Sequence, residues 1–285
     1  MKCNQECKKT NELYSNIEVE LAESQHPTYK IVTAEKIKHK GNKKNIESRA
    51  IIFAPVGNTS LFWNDENEQQ RVPKIILVGF STSNEAMQQF YKLSVENDFN
   101  TSCKRSSFGG SPTLRENILR MFNFLELGTR FELDEIFEPE QTDIMHTQII
   151  KCCSLGKVNS IYKDSSAIYP NKVDKSIEDL YLNHSGHRNC IDKIFVKEIN
   201  FKSVIPLVLI FKPAWENLRG MGLLANINAK ILEWLPHPSN PGNDVIKLLN
   251  MYEEGEDITQ YDWKESSKQL IKIKRKLNET KGLFD

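Results

Sequence analysis

Four short segments rich in apolar and β-branched residues stand out along the chain. Lys74–Gly79 and Val204–Phe211 each carry a nearly continuous apolar run. Such runs are typical of strands that are covered on both faces. His146–Cys152 and Ala229–Leu235 complete the set, and weaker strand patterns precede them at 28–38 and Ala50–Pro55.

Segments with helical periodicity lie between these strands. A helix is predicted over 84–97, with Ser83 as its N-cap, and another over Pro112–Leu127. Further helices are predicted at these positions: Cys190–Asn200, Trp215–Leu224, and two near the C-terminus. Strands that alternate with helices favour right-handed crossovers and a parallel sheet. We therefore predict an α/β fold of three layers, α/β/α, with a central and mainly four-stranded parallel sheet.

The whole chain, 1–285, is predicted to form one domain. Residues 1–26 are polar and are expected to be loosely held. The stretch 156–189 is polar and loop-rich, which is typical of a surface insertion. Residues 256–285 are expected to contain a C-terminal helix with an apolar stripe and many basic residues.

Composition indicates where the protein works, and says little about its partner. Hydrophobic residues make up 39% of the chain, enough for a core, and the 38 acidic residues balance the 38 basic ones. No apolar stretch approaches the length of a membrane span, the N-terminus lacks a signal-like apolar run, and the cysteines are irregularly spaced. These features predict a cytoplasmic protein with no membrane partner, and we expect a monomer. Binding to DNA would depend on local basic segments: Lys36–Lys44, Lys104–Arg105 and Lys268–Lys276.

Ligand sites on parallel sheets lie beyond the carboxyl ends of the strands, where this chain has two unusual segments. Gly79–Ser83 would form a tight turn with hydroxyls and backbone amides at a helix start, although a merely capped turn is the commoner explanation. In Pro236–Pro241, prolines fix the backbone around His237. A histidine held there could donate to an oxygen that develops negative charge, or it could be a surface residue of a proline-rich loop.

In their order along the chain, four motifs resemble the uracil-DNA glycosylase superfamily, most of all its bacterial iron–sulfur branch. Ile75–Ser83 stands where the family has a strand and a Gly-Glu-Ala-Pro-Gly or Gly-x-Asn-Pro-Gly turn. His146–Cys152 resembles the family's Thr-Asn-x-x-Lys-Cys strand, and Cys190–Phe211 resembles its next helix and strand. His237-Pro-Ser239 matches its His-Pro-Ser loop. Together the motifs span roughly 74–242.

The resemblance implies an enzyme that flips a base out of DNA and hydrolyses its N-glycosidic bond. It places His237 and Ser81 at catalytic positions, with His237 stabilising the departing base. Gln148 occupies the position of the base-reading asparagine. The remaining substrate-binding positions implied are Gly79, Phe80, Phe108 as the stacking ring, Ser239 and Asn240.

The first motif departs from the family pattern. Phe80 and Ser81 stand where a Glu, Asp or Asn is expected, and the nearest acid is Glu85. Weak or altered action on a modified base such as uracil is therefore one hypothesis. The alternative is a catalytically silent nucleic-acid or nucleobase-binding protein of the same fold. An unrelated nucleotide-binding enzyme has no Gly-x-Gly-x-x-Gly or Walker-type loop to support it.

We expect no cofactor and no metal site. An iron–sulfur cluster needs four thiolates, and the resemblance suggests Cys152 and Cys190 in the later ligand positions. Cys3 and Cys7 form a Cys-x3-Cys pair instead of Cys-x2-Cys, and the loop between Cys152 and Cys190 is long. Buried, inert cysteines are the alternative that we favour.

Overall fold

The computed structural model describes residues 31–35, 48–53, 55–63, 69–93, 95–107, 112–133, 135–138, 140–158, 161–164, 190–202 and 205–280. The strands within these ranges are β1 (Ile31–Glu35), β2 (Ser48–Phe53), β3 (Ile75–Thr82), β4 (Ile144–Val158), β5 (Ile161–Asp164), β6 (Ile205–Phe211) and β7 (Ala229–Leu235). The α-helices are α1 (Asn84–Leu93), α2 (Phe99–Arg105), α3 (Pro112–Phe124), α4 (Leu127–Phe131), α5 (Val196–Ile199), α6 (Lys212–Gly220), α7 (Asn243–Glu253) and α8 (Glu265–Glu279).

A sheet of four parallel strands forms the centre of the molecule, as predicted. The strands lie side by side in the order β4, β3, β6, β7. The carboxyl-terminal half of β4 also pairs antiparallel with β2 and with β5, and β1 extends the sheet beyond β2. The antiparallel strands therefore widen one side of the sheet and leave its parallel centre intact.

Both faces of the central sheet are covered, which explains the continuous apolar runs. Ile76 and Val78 of β3 pack in a core cluster that includes residues of α5 and α6. Ile75 and Leu77 point to the other face, into a cluster formed with α3, α4, α7 and α8. All four side chains are buried. The result is a three-layer α/β/α arrangement, in which alternate residues of one strand serve two cores.

The order of the strands creates a crevice at the carboxyl edge of the sheet. From β3 the chain crosses to β4 on one side, whereas from β6 it crosses to β7 on the other side. Loops that leave two adjacent strands in opposite directions open a gap between them, and ligands of open α/β sheets bind in that gap. The fold therefore favours a site between the ends of β3 and β6.

The outer edge of β4 is held by a tight loop. The Asn58 side chain makes the hydrogen bonds that a neighbouring strand would make to β4. It donates to the Ile144 carbonyl (2.9 Å) and accepts from the His146 amide (2.7 Å). Gly57 makes this close approach possible. Its φ is +143°, and an added Cβ would lie 2.5 Å from the His146 carbonyl oxygen.

Several elements differ in extent from the prediction. The insertion predicted for 156–189 begins with regular structure, since β4 continues to Val158 and β5 returns along it. Residues 165–189 and the polar segment 1–26 lie outside the described residues. The helix predicted over Cys190–Asn200 is a π-helical turn, Cys190–Phe195, followed by α5. No helix in the described part of the chain is long and apolar enough to cross a membrane.

Candidate functional site

Ser81 and His237 lie at one level along the carboxyl edge of the sheet. In the register of the sheet, Ile210 of β6 pairs with Val78 on one side and with Trp234 on the other. Ser81 and His237 each follow their paired residue by three positions. Neighbouring strands are about 4.8 Å apart, so the ends of β3 and β7 from which they extend are separated by roughly 10 Å. A ligand of the size of a nucleobase with its sugar could touch both.

The loop that carries His237 is anchored to α3. Asn117 is buried in α3, and its Nδ2 donates to the carbonyl of Pro238 (2.8 Å). The Asn240 amide closes a turn by donating to the His237 carbonyl (3.1 Å). These bonds, together with the fixed φ of the prolines, hold a loop that lacks regular structure.

The hydrogen bonds of His237 define which ring nitrogen carries the proton. The backbone N–H of Ser239 donates to Nδ1 of His237 (3.3 Å), and the Ser239 hydroxyl is 2.6 Å from the same nitrogen. A backbone N–H can only donate, so Nδ1 is the acceptor and the neutral ring carries its proton on Nε2. Burial lowers the pKa of His237, which keeps the ring neutral. The site therefore presents a neutral Nε2–H donor.

Gly79 and Gln148 lie opposite each other on β3 and β4. A Cβ added to Gly79 would lie 3.3 Å from Cγ of Gln148, so the glycine leaves room for the glutamine stem. Gln148 is buried, and its Oε1 accepts a hydrogen bond from the Thr82 hydroxyl (2.7 Å). The structure thus brings the predicted amide next to the first motif.

The residues of the first motif point in different directions. Ser81 is half-buried and, by the alternation of the strand, shares a face with Gly79. Phe80 packs on the opposite face, against the cluster that includes α5 and α6, so it does not join the other predicted site residues. The Ser83 hydroxyl accepts from the Ala86 amide (3.2 Å) and caps α1, as predicted. Glu85, the acid nearest this motif in sequence, is exposed.

Two parts of the predicted site lie outside the described residues. Phe108, the predicted stacking ring, falls in 108–111, between α2 and α3. Cys3, Cys7 and the side chains of Cys152 and Cys190 are likewise not described, so the structure does not bear on a cluster. Among the side chains that are described, no group of three or more His, Cys, Asp or Glu is placed to hold a metal ion.

A buried ion pair lies on the other face of the sheet, beside β4. Lys151 Nζ donates to the Glu198 carboxylate (2.5 Å) and to the Thr147 hydroxyl, and Lys151 is only 3% exposed. The pair borders a cavity of about 10 Å³, room for about one water. Cys103 also borders it, but burial raises the pKa of this thiol, which makes it a poor nucleophile. This cluster joins α5 to β4.

The basic segments differ in how far acids neutralise them. Residues 36–44 lie outside the described residues, and Lys104 pairs with Glu140 (2.6 Å) while Arg105 is exposed. Every basic side chain of Lys268–Lys276 has an acidic partner; the pairs are Lys268–Asp262, Lys272–Glu233, Lys274–Glu126, Arg275–Glu279 and Lys276–Glu233. The five basic and four acidic side chains of these pairs leave one net positive charge. The basic side chains of α8 would therefore have to leave their acidic partners in order to bind phosphate.

Sequence reasoning missed the two residues that fix the site, Thr82 and Asn117. Thr82 is 1% exposed and its hydroxyl bonds Gln148, although it was not among the site residues that the sequence predicted. Asn117 did leave a signal, because it is an amide within the apolar stripe of α3, between Leu114 and Met121. A polar residue at such a position needs a buried partner, which here is the His237 loop.

Comparisons with protein-family models, with curated proteins and with solved structures found no match for this chain.

Proposed function

We propose that this chain hydrolyses the N-glycosidic bond of a modified base, such as uracil, that is flipped out of DNA into the crevice between β3 and β6. The observation that carries the proposal is the neutral histidine at the carboxyl edge, with Nδ1 accepting from Ser239 and Nε2 left as the donor. Gln148 and Ser81 lie on the sheet face shared with Gly79, and support a pocket with an edge-reading amide. The four sequence motifs, in their order, supply the reaction class.

His237 would act on the departing base. When the bond between the base nitrogen and the sugar C1′ breaks, the electron pair stays on the base. The Nε2–H group would donate a hydrogen bond to the oxygen where this charge collects, without giving up its proton. Water then adds to the oxocarbenium-like sugar and loses a proton to solvent. Slow turnover is expected, because Ser81 carries no charge to offset the positive sugar.

The test is incubation with duplexes that contain uracil, hypoxanthine or a mismatched thymine, scored for abasic sites. His237→Ala should reduce base release by about a hundredfold to a thousandfold, the usual effect of losing one oxyanion donor. Ser239→Ala should reduce base release by a smaller factor, because the backbone N–H of residue 239, which sets the tautomer of His237, remains. A His237→Ala protein that folds and releases base at the native rate would contradict the proposal.

Binding without catalysis is the second candidate. The observation that favours it is the first motif, Gly79–Ser83, which carries no carboxylate, together with the exposed position of Glu85. A silent binder would retain base-containing oligonucleotides while producing no abasic sites on any substrate. Its affinity for them should fall as salt rises, because phosphate contacts release counterions.

A further inference from the structure

Phe211 lies at the point where the crevice between β3 and β6 opens. The last pair of residues that joins these two strands is Val78 and Ile210, and Phe211 is the next residue on β6. On its other side Phe211 pairs with Leu235 of β7, two residues before His237. Its side chain is 5% exposed and packs in the core cluster formed with α3, α4, α7 and α8. Phe211 therefore connects this core to the loop that carries the histidine.

The ring of Phe211 contacts the imidazole of His237. The two ring centroids are 5.8 Å apart and the ring planes are inclined at 57°, an arrangement in which aromatic rings attract each other. The bond from the Ser239 amide holds only Nδ1 of the imidazole, and the ring could still turn about that bond. The contact with Phe211 removes this freedom, so that the Nε2–H group has one direction.

Charged residues on the flanking elements are held by partners of their own or are exposed. Glu116, the residue before Asn117 on α3, is exposed. The contacts of the others, on α3, α6, α7 and β7, are Arg120–Glu253, Lys212–Glu265, the Asp244 carboxylate with the Lys264 amide, and Glu233 with Lys272 and Lys276. Burial is what lowers the pKa of His237, and the ring of Phe211 forms one side of its apolar cover.

We infer that Phe211 is a positioning residue for His237, whose ring covers one side of the imidazole and sets the direction of the Nε2–H group. The consequence for catalysis rests on the proposed function, because that group is the donor to the departing base. The contact between the two rings does not depend on it. A smaller apolar side chain at position 211 would keep the bond from the Ser239 amide but would let the imidazole turn and water approach it.

The experiment is an NMR titration of the six histidines, with the signals of His237 assigned from the spectrum of His237→Ala. Phe211→Leu should raise the pKa of His237 toward the ordinary value for histidine, about 6.5, because water then reaches the charged form. Phe122→Leu is the matched control, since Phe122 is 3% exposed in the same core cluster, and it should leave this pKa at the native value. An unchanged pKa in folded Phe211→Leu, or an equal rise in both variants, would overturn the inference.

A measurement on the native chain keeps the test decisive if Phe211→Leu does not fold. A nuclear Overhauser effect between the ring protons of Phe211 and His237 is expected, and its absence would overturn the inference.

Kinetics tests the consequence for the reaction. In Phe211→Leu, kcat for base release should fall about tenfold to a hundredfold while KM stays the same, because a misdirected donor weakens the transition state alone. A native kcat in the folded variant would overturn the positioning role. If the native chain forms abasic sites on no substrate, the proposed function fails, and the titration still decides whether Phe211 holds His237.

Discussion

At the scale of single residues, the site depends on the direction of its hydrogen bonds. The Ser239 N–H makes Nδ1 of His237 an acceptor, and the Thr82 hydroxyl donates to Oε1 of Gln148. The first of these bonds leaves Nε2–H of His237 as the donor available to a ligand. The first motif supplies no negative charge, since Ser81 occupies the position where the resemblance leads one to expect an acid or an amide.

Restoring that charge should raise the activity. Ser81→Asp places a carboxylate on the face of β3 that also carries Gly79, where it would stabilise the positive sugar and orient water. We expect base release to increase about tenfold or more, and a tenfold gain corresponds to ~1.4 kcal/mol of the barrier. The measurement is the initial rate of abasic-site formation on the uracil duplex.

The matched control for this variant is Ser83→Asp. It introduces the same charge two residues away, at the N-cap of α1, where aspartate is well tolerated. Its rate should equal that of the native chain. If both variants fold and neither gains activity, the silent-binder hypothesis is favoured.

At the scale of elements, a buried carboxylate joins α8 to the edge strand β7. Glu233 is 3% exposed on the face that packs against α8. Its carboxylate accepts from Lys272 (3.2 Å), Gln269 (2.8 Å) and Lys276. Burial raises the pKa of Glu233, but the hydrogen bonds from Lys276, Gln269 and Lys272 outweigh it, so the pKa lies below its ordinary value. The ionised form therefore stabilises the folded state.

Glu233→Gln should lower the free energy of unfolding at pH 7 by about 1.5–3 kcal/mol, the value of hydrogen bonds to a charged group. Because the folded pKa is depressed, this advantage of the native chain is complete above the unfolded pKa, near 4.5, and disappears as the pH falls through the folded pKa. Urea unfolding of the native chain and the variant at pH 7 and below pH 4 measures the difference in unfolding free energy and its loss at low pH. Glu279→Gln, which breaks an exposed pair with Arg275, should change neither value measurably. A native chain that keeps its full advantage below pH 4 would contradict the assignment.

At the scale of the whole molecule, one buried histidine links stability to pH. His146 lies on β4 with its Nδ1 2.5 Å from the Ser107 hydroxyl. Burial lowers its pKa to about 3, and nearby Lys151 adds to the effect. The folded protein therefore keeps this ring neutral at a pH where the unfolded chain protonates it.

Stability should fall as the pH drops below about 6.5, the ordinary pKa of histidine. Between there and the folded pKa of about 3, His146 alone should remove at most about 1.4 kcal/mol per pH unit, since only the unfolded state gains the proton. Urea unfolding of the native chain and of His146→Gln at pH 6.0 and 5.0 should show a shallower pH slope in the variant. The slope is the informative quantity, because the variant also loses the contact with Ser107. Identical slopes would mean that His146 titrates normally in the fold.

The local pattern of the sequence determined the central architecture. The apolar runs at Ile75–Val78 and Leu207–Ile210 are strands buried on both faces, because such runs can be covered only by helices on two sides. Alternation with helices then required parallel neighbours, and β4, β3, β6 and β7 are parallel. The rigid loop around His237 was also evident, since proline fixes the backbone locally.

Tertiary structure decided what depends on contacts between residues distant in sequence. Thr82 and Gln148 are 66 residues apart, and Asn117 and Pro238 are 121 apart, so no local pattern could pair them. The resemblance placed Ser81 at a catalytic position and Phe80 at a substrate-binding one, but the alternation of β3 sends them to opposite faces, and the packing of helices decides which face holds the site. The sequence by itself therefore determined which elements form and which chemical groups they carry. Only the folded chain decided which of those groups meet, because hydrogen-bond direction and burial depend on neighbours that the strand order brings together.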